Sequence, residues 1–567
     1  MTRTKRFIGA LLAVIASASA AGAQAGSGAD HAGAHSHALP ATLDEWARGA
    51  QLFEGLGPFH RRITTGSKRA QLFFDQGMRF LWAFNHDEAT RSFARAAQLD
   101  PRCASCYWGA ALTLGPNYNM PVMPGPRAKV GWDALAKAQQ YARRASPVER
   151  ALIDAVARRY LGAQPLDPAN SAPLITAYAA AMKDVAARFP ADLDVQTLYA
   201  EALMNANPWK LWNADGSPAP GTGAIVATLE AVLAADPAHP GANHYYVHAV
   251  EASPHPDKAL RSAERLKTLM PAAGHMVHMP AHILERVGRY GESAAANRAA
   301  AAADLAYYGK TAPVDYYPMY SAHNYQFLAA AAAMEGRRAE TIAALRKARK
   351  LVSDDMLAQM PGQDWTIAYL YEAMVRFGMW DALIAEPAPN PAFRALAIGY
   401  ASARATALAA IGRVAEAKAA SQSLDAMIAA APADSGAGMN PAKDLFAIAA
   451  LKAKARIAQA ERRPDDAILL LREAVAGEDR LAYNEPSDEF FPVRHLLGAA
   501  LLGAGRPVEA ELVYREDLNR NPANGWALLG LARALEAQQK RDEAATVRAH
   551  FADAWKQADV TIETSAF

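Results

Sequence analysis

Two cysteines are all that 567 residues contain, Cys103 and Cys106, spaced as one Cys-x-x-Cys. Tyr107 follows where c-type haem attachment needs histidine, so that chemistry is excluded. In an exported chain the pair favours a disulfide or a metal contact over free thiols, but a bridge between two cysteines on one helix is strained, and the pair stays unassigned. Other signatures are also missing. There is no Gly-x-Ser-x-Gly elbow, no Gly-x-x-x-x-Gly-Lys phosphate loop and no dinucleotide fingerprint with its acidic follower, which argues against a nucleophile-based hydrolase. Past the first residues no stretch approaches 18 uninterrupted apolar residues, so no membrane span is expected. An excess of either charge is lacking too. Removing an N-terminal leader takes three of the 59 basic residues and none of the 57 acidic ones, turning a formal +2 into −1 and leaving no electrostatic case for nucleic acid.

That leader is the first positive feature. Met1 to Arg6 is basic, Phe7 to Ala16 is apolar, and small residues run to Ala23, the pattern of a signal peptide over residues 1–23. The chain is therefore expected to be exported, periplasmic or secreted. Residues 24–42, with His31, His35 and His37, are small and polar and read as a disordered linker.

From there the chain is alanine-rich and punctuated by Gly and Pro, with little β-branched alternation, as expected of an all-α chain. Phe73-x-x-Gln76-Gly77-x-x-Phe80, then Ala89-x-x-x-Phe93, then Asp100-Pro101 resembles the tetratricopeptide (TPR) consensus, and Trp526-x-x-Leu529-Gly530 after Asn521-Pro522 is in phase with it. Helix-pair endings are expected at Gly288, Gly336, Gly378, Gly412 and Gly505. The resemblance implies a tetratricopeptide-like helical-repeat solenoid, with repeats over 43–206, a Pro/Trp/Gly-rich loop over 207–223, central repeats over 224–430, a linker over 431–441 and C-terminal repeats over 442–567. The segments Phe84-Asn85-His86-Asp87-Glu88-Ala89, Gly115-Pro116-Asn117-Tyr118-Asn119 and His278-Met279-Pro280-Ala281-His282 also resemble a group of exported bacterial TPR proteins of undefined function. That likeness implies a fold and no reaction.

The sharpest chemical pattern is His-x-x-x-His-x-x-Glu, which occurs twice. His244 and His278, His248 and His282, and Glu251 and Glu285 are each 34 residues apart, one TPR length. Steps of four and three return to one helix face, so each copy presents two imidazoles and a carboxylate in a stripe. The repeat frame puts these stripes on the inner, concave surface, and adds His275, His323, Glu201, Tyr245, Tyr320 and Asn324 as further groove residues. Such a set suits zinc, copper or iron. Pro280 is expected to disturb one of the helices. Around the stripes lie Trp209, Trp212, Tyr246, Tyr307, Tyr308, Tyr316, Tyr317 and Tyr325; the 314–320 loop is a candidate pocket wall, and Asn117 to Asn119 a rigid polar loop nearby.

Neither histidine pair has the glutamate after the first His that metalloproteases use as base. The favoured function is a binding scaffold whose groove takes a metal ion together with a peptide, protein or small-molecule ligand. The alternative is a metal-dependent enzyme, hydrolytic or oxidative, using the same side chains, and a metal-free peptide adaptor is the plainest option.

Overall fold

A computed structural model describes residues 39–312 and 317–567. The signal-peptide segment, His31, His35, His37 and Tyr316 lie outside the described residues. The fold is all-α, a tetratricopeptide-like helical-repeat solenoid, and the only strands among the described residues are Gly436–Ala437 and Asn440–Pro441, which pair antiparallel. No helix of the described residues is long and apolar enough to cross a membrane. The chain divides into two compact units. The first holds residues 39–280, 299–312 and 317–321 of the described chain; the second holds Ala281–Arg298 and Ala322–Phe567.

In the first unit, neighbours in sequence pack as pairs: Lys68–Trp82 on His86–Leu99, Ala104–Leu114 on Gly125–Tyr141, Pro168–Arg188 on Leu193–Ala206, and Thr222–Ala235 on Pro240–Val250. Asn85 starts one of these helices by accepting the Glu88 amide on its side chain at 3.2 Å, and Ser146 forms a capping box with Glu149 at the start of a further helix, Pro147–Val156. The second unit repeats the plan with Arg394–Ala410 on Val414–Ala429, Ala442–Ala460 on Pro464–Glu478, Val493–Gly503 on Pro507–Arg520, and Gly525–Ala537 on Arg541–Ala554. The glycines expected to end helices, from Gly288 to Gly505, all have positive φ, the conformation that lets a chain leave one helix and enter the next.

One packing device recurs in both units. Phe93 is clamped between Gly77 and Gly109, each 16 residues away, and a Cβ on either glycine would lie 2.5 Å from the ring. Tyr514 is clamped in the same way, at the same spacing, between Gly498 and Gly530. The aromatic fills the gap between helices only because the facing positions carry no side chain.

Cys103 and Cys106 form a disulfide with Cα atoms 5.4 Å apart. The helix begins at Ala104, and Cys103 is its extended N-cap (φ −74°, ψ 97°), so the two cysteines do not both lie on helix and the geometric objection falls away.

Candidate metal centre

The helix Pro240–Val250 is buried along its whole length, and His244 and His248 stand one turn apart on it. His275 enters from the helix Gly274–His278, where Gly274 leaves room for the Asp304 carboxylate. His244, His248 and His275 are 0%, 3% and 4% exposed, and each offers a nitrogen within 4.8 Å of the others. The expectation of an open groove lining is corrected here: these imidazoles lie under a cover. The cover is the turn after Lys68–Trp82, which the repeat frame alone does not place.

Two hydrogen bonds orient the cluster. His244 Nδ1 lies 2.5 Å from the Trp82 carbonyl, which can only accept, so Nδ1 carries the proton and Nε2 carries the lone pair. That Nε2 accepts from His275 Nε2 at 3.1 Å, a proton that His275 would give up for the two nitrogens to share a cation. His248 Nδ1 is 2.9 Å from a Glu251 carboxylate oxygen, so Nε2 is the atom it would offer to a metal. A carboxylate or carbonyl behind each imidazole is the usual arrangement around metal-binding histidines. Glu251 therefore stands as an orienting partner of His248.

Aromatic rings enclose the cluster. Phe84 sits 4.5 Å from the His244 ring, 5.7 Å from His248 and 5.8 Å from His275, stacked on the last two. Trp209 and Tyr118 close on His248 at 5.6 and 5.8 Å, and Tyr320 on His275 at 4.8 Å. Tyr320 also accepts a hydrogen bond from Asn119 at 2.8 Å, which brings the Asn117–Asn119 loop to the site. Phe84 and Trp209 have φ of 54° and 61°, left-handed conformations that bulky residues rarely adopt and that the surrounding packing must hold. Sequence reasoning missed Phe84 and Trp82 as site residues; the left-handed turn between two helices carries no periodic signal.

The remaining candidates lie in both units. In the first, His278 is buried with its ring 5.8 Å from His275. Tyr245 is buried against Trp82 and Phe84, and its hydroxyl is held far above its ordinary pKa by burial and then by Glu201. Glu201 is raised by burial, opposed by Arg159 and by a hydrogen bond from Asn205. His86 is pushed down to about 3, chiefly by burial. In the second unit, His282 Nδ1 lies 2.7 Å from Glu485, a partner with no signature in the sequence, and its ring is 6.0 Å from that of His323. Glu285 accepts from Ser293 at 2.9 Å, and burial pushes it up to about 8. Asn324 is fully buried. Tyr317 and Tyr320 open the helix Tyr317–Met334, so part of the expected loop is helix.

No protein-family model matches the chain, and no curated protein does. Among solved structures it is similar to human IFIT1 as a dimer with m7Gppp-AAAA, at 12% identity over 88% of this chain and 92% of that one, with a TM-score of 0.31. It is also similar to the APC/C hetero-tetramer Cut9–Hcn1, at 14% identity over 82% and 76% with a TM-score of 0.32, and to yeast Tom70, at 9% over 84% and 90% with a TM-score of 0.28. The fold assignment rests on the helix pairs described above.

Proposed function

We propose that this protein is an exported helical-repeat binding scaffold that holds a metal ion at His244, His248 and His275 and presents a peptide, protein or small-molecule ligand surface built around that centre. The approach of the His244 and His275 Nε2 atoms to 3.1 Å carries this reading. Two nitrogens bound to one zinc at roughly 2.0–2.1 Å and near the tetrahedral angle stand about 3.3 Å apart, so the pair fits a shared cation. Three neutral imidazoles with carbonyl and carboxylate support suit zinc, copper or iron. Bound there, the ion would supply a positive charge between the nitrogen lone pairs and tie the helix Pro240–Val250 to Gly274–His278. The aromatic enclosure supports an ion that organises the scaffold. Export rests on the basic-apolar-small pattern of residues 1–23, in keeping with the resemblance to exported bacterial TPR proteins.

The test is elemental analysis of tag-free mature protein beside a His244→Ala/His275→Ala double variant. Near-stoichiometric zinc, copper or iron in the first, and its loss in the second with helicity retained by circular dichroism, is the expected result. A wild-type protein that carries no metal and takes up none of the three ions when they are added would refute the metal.

A further inference from the structure

The second unit contains a cavity of about 620 Å³, within the range of about 300–1,000 Å³ usual for small-ligand sites. Its wall includes Arg376, Lys452, Arg456 and Arg462 against one acidic side chain, Glu372, with Trp380, Phe491 and Phe567 among the apolar lining. The cations differ in how they are compensated. Lys452 is ion-paired twice, 2.9 Å from Glu372 and 2.5 Å from Glu489. Arg376 is only 3% exposed, and no carboxylate of the described residues pairs with it.

The hydrogen bonds of Arg376 fix which edge of the guanidinium is left over. Nη1 donates to His495 Nδ1 at 2.8 Å. His495 can accept there because its Nε2 proton goes to Asp517 at 2.8 Å. The planar face is used as well, 3.8 Å over the Trp526 ring and 5.0 Å over Phe491. Nε and Nη2, buried and without a hydrogen-bond partner, are what remain. These two N–H groups share one edge of the guanidinium and form the fork that grips a carboxylate or phosphate through two parallel hydrogen bonds. Arg456, on the same wall, bonds the Gln459 amide oxygen at 3.2 Å and pairs with no carboxylate of the described residues. Burial lowers the pKa of both arginines, and at Arg376 the Asp517 carboxylate beyond His495 offsets it only in part. A guanidinium keeps its proton in proteins, so the cost of that burial calls for an anion.

We propose that this cavity is a binding site for a small oxyanion, a carboxylate or phosphomonoester carried on an apolar body, with Arg376 and Arg456 on its wall supplying the positive charge and Phe491 and Phe567 packing the body. No histidine is among the residues that line it.

Ligand-observed NMR on the full-length mature protein tests it with three probes of one shape: benzoate, phenyl phosphate and the neutral benzyl alcohol. Both anions are expected to bind and the alcohol is not, and the tighter of the two identifies the natural group. Arg376→Met and Arg456→Gln are each expected to weaken anion binding by about 10–100-fold, the worth of a charge-assisted hydrogen bond. Thr406→Phe, which fills the cavity from its wall, should abolish it. If Arg376→Met does not fold, the other two variants decide. Binding of benzyl alcohol as tight as that of the anions, no binding of either anion to the wild type, or anion binding that folded variants leave unchanged would overturn the proposal.

Discussion

In the first unit His244 gives its Nδ1 proton to the Trp82 carbonyl and turns Nε2 toward a second imidazole; in the second unit His495 gives its Nε2 proton to Asp517 and turns Nδ1 toward the Arg376 guanidinium. Both rings are fully buried, and in both an acceptor on the far side selects the tautomer. The near side decides the difference. Where the lone pair meets an N–H of arginine, the donor cannot give up its proton, and the ring becomes a link in a structural relay. Where it meets another imidazole, the donor can lose its proton, and the pair could then take a cation. One residue type, equally buried, thus serves opposite ends, and neither burial nor residue identity separates the two; the second partner does.

Breaking the structural relay should have the largest effect. Asp517→Ala removes the acceptor that orients His495 and also accepts from Asn524, and is expected to cost the second unit about 2–5 kcal/mol, because buried donors to a carboxylate are left unsatisfied. Urea unfolding followed by tryptophan fluorescence measures it, and a cost close to zero would mean that the relay is dispensable. The matching change at the other site, Glu251→Ala, should leave helicity in place and weaken metal binding by about 10–100-fold, the usual effect of losing a carboxylate behind a histidine ligand. Calorimetric titration with zinc would read this, and unchanged affinity would remove Glu251 from the site.

The smallest effect concerns pH. Burial raises the Asp488 carboxyl in the second unit to about 6, against hydrogen bonds from Asn440 and Asn484. Between about 3.8 and 6 the folded state then holds a proton that the unfolded state has released, so this group lowers stability as pH rises through that window. Asp488→Asn should remove that leg of the stability profile, visible as a difference between variant and wild-type melting temperatures from pH 4 to 6.5. Parallel profiles would show that the group does not titrate there.

Much of this was legible beforehand. The helix-pair plan follows from the spacing of small and aromatic residues, and the clamps around Phe93 and Tyr514 are the tertiary meaning of the glycines at 77 and 530. The stripe of His244 and His248 follows from a four-residue step on a helix. The cover over that stripe does not, because it arrives from a left-handed turn at Phe84, far away in sequence. His282 illustrates the same limit, since its carboxylate partner Glu485 lies about 200 residues downstream. Arg376 passes unnoticed as one arginine among many, and its lack of a directly paired carboxylate among the described residues is a fact about neighbours.

The amino-acid sequence by itself determined the all-α repeat class, the positive-φ glycines between helices, and the sharing of one helix face by two histidines, because each depends on interactions within a few residues or one repeat length. The tertiary structure alone decided that those histidines are buried, which ring nitrogen carries the proton, that His275 completes the cluster, and that Arg376 lines a cavity with no carboxylate of the described residues paired to it. These depend on which atoms lie on the far side of each group, and contacts spanning scores to hundreds of residues leave no period in the chain to read.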